Sequence, residues 1–326
     1  MPLRFSVLIL ILVLVGLGSA LLGRYPAAGF LPVDNLLHDD LAQRLILTIR
    51  LPRIIAAILL GMSLAAAGTV FQMIFSNPLV EPGFLGVSPG AAFGAILCIV
   101  IGVVNPALVQ VGALFFALAG LGVSYLLARA IKFGGWILRL VLAGIAVSAF
   151  FSAGIGLLKL TADPISELPE ITFWLLGGLW SVAWTDVAYI VPPIFIGLLI
   201  VFIFRWKVNI LSLESRVAHS LGSAPDRERL GLLFAATLAT AAAVSVSGLV
   251  GWAGLMIPHA ARRLFGTDAR RSLPASMLLG AIFMLLCDNV ARTVVPAEIP
   301  LGILTSILGA GVFLFLMTTG REAKRG

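Results

Sequence analysis

Asp288 is the carboxylate whose surroundings in this sequence most suggest chemistry, because it lies inside an apolar stretch long enough to cross a membrane. Ionisable groups are costly inside a membrane, so such a residue is a candidate for binding or carrying an ion. Arg292 follows four residues later, and an Asp288–Arg292 pair on one helix face is the structural interpretation. The sequence alone leaves both interpretations open.

Gly86-Val-Ser-Pro-Gly90 has the spacing of the G-x-S-x-G nucleophile motif. That motif needs a strand before it, a helix after it, and a partnered histidine and acid. Here it opens a membrane helix, and an intramembrane hydrolase built on Ser88 would lack a nearby base. Gly86, Gly90 and Gly94 instead recur at every fourth position, which favours close helix packing. We therefore predict no catalytic residue.

Other chemical signatures are missing from the sequence. No G-x-x-x-x-G-K-[ST] loop is present, so any ATP and Mg²⁺ would bind to a separate ATPase chain. His38, His219 and His259 share no local metal spacing, and the two cysteines, Cys98 and Cys287, lie far apart in apolar runs. We expect no metal site and no cofactor in this chain.

The composition is that of a polytopic membrane protein. Apolar residues make up 60% of the chain and charged residues 11%, and the mean hydropathy is +1.10. These values exclude a soluble globular protein. Forty-seven uncharged residues separate Glu81 from Arg129 and must fold back on themselves, with Asn105-Pro106 as the turn.

We predict an all-α fold with a single transmembrane domain, 1–326, and about ten spans. The predicted spans are 4–22, 53–74, 83–104, 107–129, 140–160, 187–204, 230–250, 252–265, 274–294 and 300–318. Gly248 to Gly254 interrupts the run between the seventh and eighth spans, which predicts a broken helix. Gly68, Pro78 and Gly86 are each followed by a matching residue type 180 positions later, which suggests two inverted five-helix halves.

The basic residues alternate with the spans, so the isoelectric point of about 10.1 reflects membrane topology and not nucleic-acid binding. With the N-terminus in the cytoplasm, sixteen lysines and arginines fall inside and six outside. The outside six are Arg24, Arg44, Arg50, Arg53, Lys159 and Arg292. This bias predicts that both termini are cytoplasmic. A cleaved signal peptide is the competing interpretation of the first span, with Gly18-Ser19-Ala20 as its cleavage-like site.

Three connections between the spans are long. Residues 24–52 should be external, with a short helix over 39–50, and residues 161–186 form an interfacial segment with Trp174, Trp180 and Trp184. Residues 208–229 should be cytoplasmic. There, Leu213, Val217 and Leu221 recur at every fourth position, which predicts a short amphipathic helix ending at Gly222. This helix is either a solvated surface helix or a docking site for a partner.

Several motifs, in order and spacing, resemble the permease subunits of type II ABC importers, which take up iron–siderophore chelates, haem and cobalamin. The resemblance covers nearly the whole chain from Arg50 onward. It rests on Leu51-Pro-Arg53, 76–90, 254–262, Leu273-Pro-Ala-Ser276, 288–292, 298–305 and Leu308-Gly309. The chain departs from the usual family pattern at Val80, Phe84 and Pro89.

The resemblance implies a homodimer in the inner membrane, with two ATPase subunits inside and a substrate-binding protein outside. It assigns Arg50, Arg53 and Arg292 to docking of the binding protein, and Asn77-Pro78-Leu79 to a cytoplasmic gate. The coupling helix that contacts the ATPase would be 212–222. Its matching residues are Glu214, Arg216, Ala218, Leu221 and Gly222.

We therefore expect ATP-coupled import of a metal chelate, with an iron–siderophore first, then haem or cobalamin. No cluster of His, Cys, Met or acidic side chains lies in the predicted spans, which suits a chelate that already encloses its metal. The alternative is an ion-coupled secondary transporter with inverted repeats, for which Asp288 would be the coupling group.

Overall fold

The computed structural model describes residues 2–25, 29–32, 38–295 and 297–319. Three of the basic residues counted on the cytoplasmic side, Arg321, Lys324 and Arg325, lie outside these ranges. Among the described residues, the regular secondary structure is helical apart from a short hairpin, in which β1 (Leu22–Gly23) pairs antiparallel with β2 (Gly29–Phe30).

Thirteen helices lie within the described residues. They are α1 (Pro2–Leu21), α2 (Asp40–Ile74), α3 (Val87–Val100), α4 (Pro106–Ala130), α5 (Trp136–Thr161), α6 (Glu167–Leu176), α7 (Trp184–Ile203), α8 (Arg205–Leu211), α9 (Ser215–Ser220), α10 (Pro225–Ser247), α11 (Ala253–Phe265), α12 (Ala269–Thr293) and α13 (Leu301–Thr319).

The ten predicted spans coincide with α1, α2, α3, α4, α5, α7, α10, α11, α12 and α13. Within the described residues, seven helices are long and apolar enough to cross a membrane, and α3 and α13 add two shorter apolar helices. The remaining predicted span, 252–265, is the 13-residue helix α11. The all-α membrane fold is confirmed, and the count of about ten spans is approximate.

The second helix begins earlier than predicted. Residues 39–50 were expected to form a separate short helix, but α2 runs without a break from Asp40 to Ile74. Asp39 caps its start by accepting the Leu41 N–H at 2.9 Å. Leu45–Arg50 forms a π-helical turn just before Pro52. A wider turn accommodates the proline ring, which would otherwise crowd the preceding carbonyls.

Two helices are shortened by irregular backbone. After α10 ends at Ser247, Gly248 takes a φ of 64°, and α11 starts only at Ala253, as the predicted helix break requires. The segment before α3 contains a 3₁₀ turn, Pro82–Leu85, and Gly86 with a φ of 79°. A residue in this left-handed conformation cannot be part of a right-handed helix, so α3 starts at Val87 and not at 83.

The helix α2 lies at the centre of the packing, against α12, α10 and α11. A Cβ at Gly61 would overlap Gly280 O of α12, and a Cβ at Gly68 would overlap Gly254 O of α11. These glycines allow the helix backbones to approach closely, as is usual in membrane bundles. By contrast, α1 packs mainly on α12 and exposes most of its apolar side chains.

Candidate functional site

The first half of α2 and the C-terminal end of α12 are joined by a buried charge cluster. Arg53 Nε donates to Asp288 Oδ1 at 2.8 Å, and Arg53 Nη1 lies 3.0 Å from Glu298 Oε2. Arg292 Nε lies 3.6 Å from Asp288 Oδ2. The Asp288–Arg292 pair expected from the sequence is therefore present, but Arg53 makes the shorter contact with Asp288. Local spacing could not reveal this partner.

The arginines of the predicted external docking face are not free surface cations. Arg50, Arg53 and Arg292 are 8%, 6% and 9% exposed. Arg50 donates to Ala20 O at 2.8 Å and Leu21 O at 3.1 Å, which ties α2 to the end of α1. Arg292 donates to Ser19 O and to Asn289 Oδ1. Each guanidinium is thus engaged within the chain.

The predicted gate, the 77–79 turn, lies at the other end of α2 and is exposed. Asn77 Oδ1 accepts the Leu79 N–H at 2.9 Å, which closes a tight turn. The Leu79 side chain is 57% exposed. Ser76, immediately before the turn, has a φ of 49° and donates through Oγ to Ser212 O at 3.1 Å. The turn is thus compact and presents one apolar side chain to its surroundings.

The predicted coupling segment, the 212–222 loop, folds around the short helix α9. Ala218 is fully buried, and Gly222 ends the segment with a φ of 79°. Glu214 and Arg216 are exposed. Leu213, Val217 and Leu221 are 42%, 46% and 59% exposed, so the apolar stripe read from the sequence points away from the protein. An outward apolar stripe on a polar loop is a feature of contact surfaces.

The base of this loop is anchored to α12. Asn209 Nδ2 donates to Asp268 Oδ1 at 2.7 Å, and Asn209 Oδ1 accepts the Ala269 N–H at 2.8 Å. The Arg270 N–H and the Asn209 amide lower the pKa of Asp268 because both stabilise its charged form. Asp268 is therefore ionised at neutral pH and caps α12.

Glu81 is an ionisable residue whose setting the sequence did not reveal. Its carboxylate lies near the backbone N–H of Trp252, just before α11. A cavity of about 200 Å³ beside it is lined by Leu64, Glu81, Pro82, Gly83, Ser88, Thr240, Leu249, Val250, Gly251 and Gly254. Glu81 thus joins the irregular segment before α3 to the start of α11. Glu81 lies next to Pro82 in an irregular segment. The sequence does not indicate the path of that segment, so this contact could not be predicted.

The predicted glycine face lies against α4. A Cβ at Gly90 would overlap Phe116 O, and one at Gly94 would overlap Gly112 O. Gly86 precedes the helix, and its own carbonyl lies against Gly120. Ser88 is therefore part of a closely packed helix start. Among the described residues, no group of three or more His, Cys, Asp and Glu side chains could hold a metal ion.

Comparison with known proteins gives a consistent result. The model of the FecCD transport family matches residues 7–319. The "Probable iron chelatin transport system permease protein" of Helicobacter pylori is 41% identical over 288 residues, which is 87% of this chain and 86% of that protein. The hemin transport system permease protein of Yersinia pestis is 37% identical over 335 residues, covering 99% and 98% of the two chains.

Other relatives are named for import of molybdate, Fe(3+)-citrate and cobalamin. Among solved structures, a metal-chelate type ABC transporter in an inward-facing conformation superposes with a TM-score of 0.91. It is 36% identical to this chain, and the match covers 98% of this chain and 100% of that one. Sequence and fold therefore point to the same group of proteins.

Proposed function

Because the chain belongs to the FecCD transport family, we propose that it carries an iron–siderophore chelate into the cytoplasm as the permease subunit of an ABC importer. Family membership makes the chain a transport subunit and not an enzyme. It also implies ATPase and substrate-binding partners in general. The iron–siderophore is the specific cargo proposed here, because the relative at 41% identity is named for an iron chelatin. Haem and cobalamin are the next candidates.

The 212–222 loop is the observation that supports an ATPase partner best. Its apolar stripe, Leu213, Val217 and Leu221, is exposed, while Ala218 holds the other side of α9 against the protein. An exposed apolar stripe on a loop that is fixed to the protein through a buried alanine is typical of a surface that contacts another chain. We infer that an ATPase subunit covers this stripe on the cytoplasmic side.

We further propose that two copies of the chain form a homodimer around a central path. Both termini would then be cytoplasmic, the 77–79 turns of the two copies would narrow the inner end, and a binding protein would dock at the outer end. The excess of basic residues on one side supports this orientation. At the outer end, Arg24 and Arg44 are exposed in addition to the buried arginine cluster.

The identity of the cargo can be tested by measuring uptake in cells with and without the chain. Cells lacking the chain, and the same cells with it restored, would be given a hydroxamate and a catecholate siderophore loaded with radioiron, radioiron haem, radiocobalt cobalamin and radiomolybdate. The proposal predicts that only siderophore uptake depends on the chain. If only the uptake of haem, cobalamin or molybdate depended on the chain, the proposed cargo would be wrong, but the family assignment would stand.

A further inference from the structure

Arg229 is a buried arginine whose guanidinium donates to the end of α8 and to the 212–222 loop. It is the fifth residue of α10 and is 2% exposed. Its Nε and Nη2 donate to Leu211 O at 3.1 and 2.9 Å, and Nη2 also donates to Leu213 O at 2.9 Å. Its Nη1 donates to Ser215 Oγ at 2.8 Å. One guanidinium therefore holds the five residues 211–215, from the end of α8 to the start of α9.

The guanidinium also connects the loop to the end of α2. Its Cζ lies 5.6 Å from the centre of the Trp136 ring at the start of α5. The Trp136 and Phe75 ring centres are 6.5 Å apart, and Phe75 is the residue that ends α2. Phe75 stacks in turn on Phe71 at 6.0 Å. A continuous row of packed side chains thus runs from Arg229 to the residue two positions before the 77–79 turn.

A second contact joins the same two segments directly. Ser76 Oγ donates to Ser212 O at 3.1 Å, across 136 positions of the sequence. Ser76 is one of three non-glycine residues with a positive φ among the described residues. A strained residue persists only where surrounding contacts hold it, and here the Ser212 carbonyl is one such contact. The 212–222 loop and the 77–79 turn are therefore linked by two independent contacts.

We propose that Arg229 is a positioning residue that makes the 212–222 loop, the start of α5 and the 77–79 turn move as one unit, so that displacement of the loop by an ATPase subunit reaches the turn. This inference rests on the proposed function, which supplies the ATPase. A buried guanidinium that loses its acceptors is strongly unfavourable, so the loop cannot shift while Arg229 stays behind. Lysine cannot replace it, because an ammonium cannot reach three separate acceptors in fixed directions.

The first test uses a cysteine at Leu79 as a reporter, in a chain with Cys98→Ser and Cys287→Ala. The rate of labelling by a fluorescent maleimide is compared in the purified complex with and without vanadate-trapped nucleotide. Arg229→Gln and Arg229→Lys should abolish the difference between the two states. Arg227→Gln is the matched control, because Arg227 is exposed and only two positions away. It should keep the parental difference.

The outcomes separate the inference from the function on which it rests. An Arg229→Gln complex that keeps its ATPase and shows the parental difference would overturn the inference. Loss of the ATPase from Arg229→Gln, but not from Arg227→Gln, would support the positioning role of Arg229. If the parental complex itself holds no ATPase and shows no difference, the proposed function fails instead.

A second variant covers the case in which Arg229→Gln does not fold. Ser76→Ala combined with Trp136→Leu leaves the contacts of Arg229 with the loop in place and removes both links to the turn. We expect this double variant to retain the ATPase and ATP hydrolysis while the difference in Leu79→Cys labelling disappears. An unchanged difference would show that the turn does not respond through these contacts.

Discussion

Arg53 Nε and Asp288 Oδ1 are 2.8 Å apart and join α2 to α12 across 235 positions of the chain. Both side chains are almost completely buried, and Arg292 and Glu298 extend the cluster. Buried charges are tolerated in a membrane protein when they are paired with one another. The carboxylate of Asp288 is thereby engaged by two arginines, which favours a structural role over ion coupling.

Removal of Asp288 should destabilise the chain. Asp288→Ala leaves Arg53 and Arg292 buried without their shared carboxylate, and we expect a loss of about 3–5 kcal/mol in the free energy of unfolding. Unfolding by SDS in mixed micelles would measure it. Glu170→Gln, at an exposed acidic residue of α6, is the control and should change little. If the free energy of unfolding of Asp288→Ala equalled that of the control, the charge cluster would contribute nothing to the stability of the fold.

Docking of the binding protein should depend on the contact between Arg53 and Glu298. Glu298 is the most exposed member of the cluster, with 33% of its side chain accessible. If Arg53 meets carboxylates of the binding protein, Glu298 competes for it. Glu298→Gln should then speed association at low ionic strength, and Arg53→Gln should slow it. Stopped-flow or surface-binding kinetics would measure both rates, and equal rates for parent and both variants would place docking elsewhere.

Contact with the ATPase should depend on Leu221. Because this side chain is 59% exposed, Leu221→Asp leaves the core of the chain intact. Loss of one apolar side chain from an interface costs about 1.5–3 kcal/mol, so ATPase binding should weaken by roughly tenfold or more. Ser220→Asp adds the same charge at the neighbouring exposed position and is the control. The docking assignment would be wrong if Leu221→Asp bound the ATPase as tightly as Ser220→Asp does.

The 77–79 turn should approach its counterpart in the second subunit during transport. Leu79 is exposed, and in the proposed dimer it is the apolar side chain that would narrow the inner opening. Leu79→Cys, in the chain without native cysteines, should cross-link between subunits in one nucleotide state and not in the other. Ser166→Cys, on the predicted outer side, should not cross-link in either state. The same cross-linking yield with and without ATP would make the turn a static feature.

The helices of the membrane fold could be predicted because each corresponds to a local feature, an apolar run bounded by charge, proline or glycine. The break before α11 could be predicted for the same reason, from Gly248 and Gly251. The charge cluster could not, since the partner of Asp288 is 235 positions away and the visible i, i+4 neighbour is Arg292. Topology placed Arg50 and Arg53 at the outer end but could not indicate that both are buried.

Irregular backbone accounts for the remaining differences. The helix α2 can start at Asp40 because a π-helical turn precedes Pro52, and no local sequence pattern predicts such a turn. The contact between Glu81 and Trp252 and the contact between Ser76 and Ser212 both arise where non-helical segments meet in the folded chain. Pairings of this kind are set by tertiary packing and not by residue spacing.

The assignment to an ABC importer can be tested by measuring whether ATP hydrolysis or a proton gradient drives transport. Proteoliposomes containing the complex purified through this chain would be loaded with ATP and given binding protein carrying a radioiron siderophore, with and without a protonophore. We expect uptake that requires hydrolysable ATP and is unchanged when the proton gradient is collapsed. Uptake by the chain alone, without ATPase or ATP, that is abolished by the protonophore would instead identify an ion-coupled carrier.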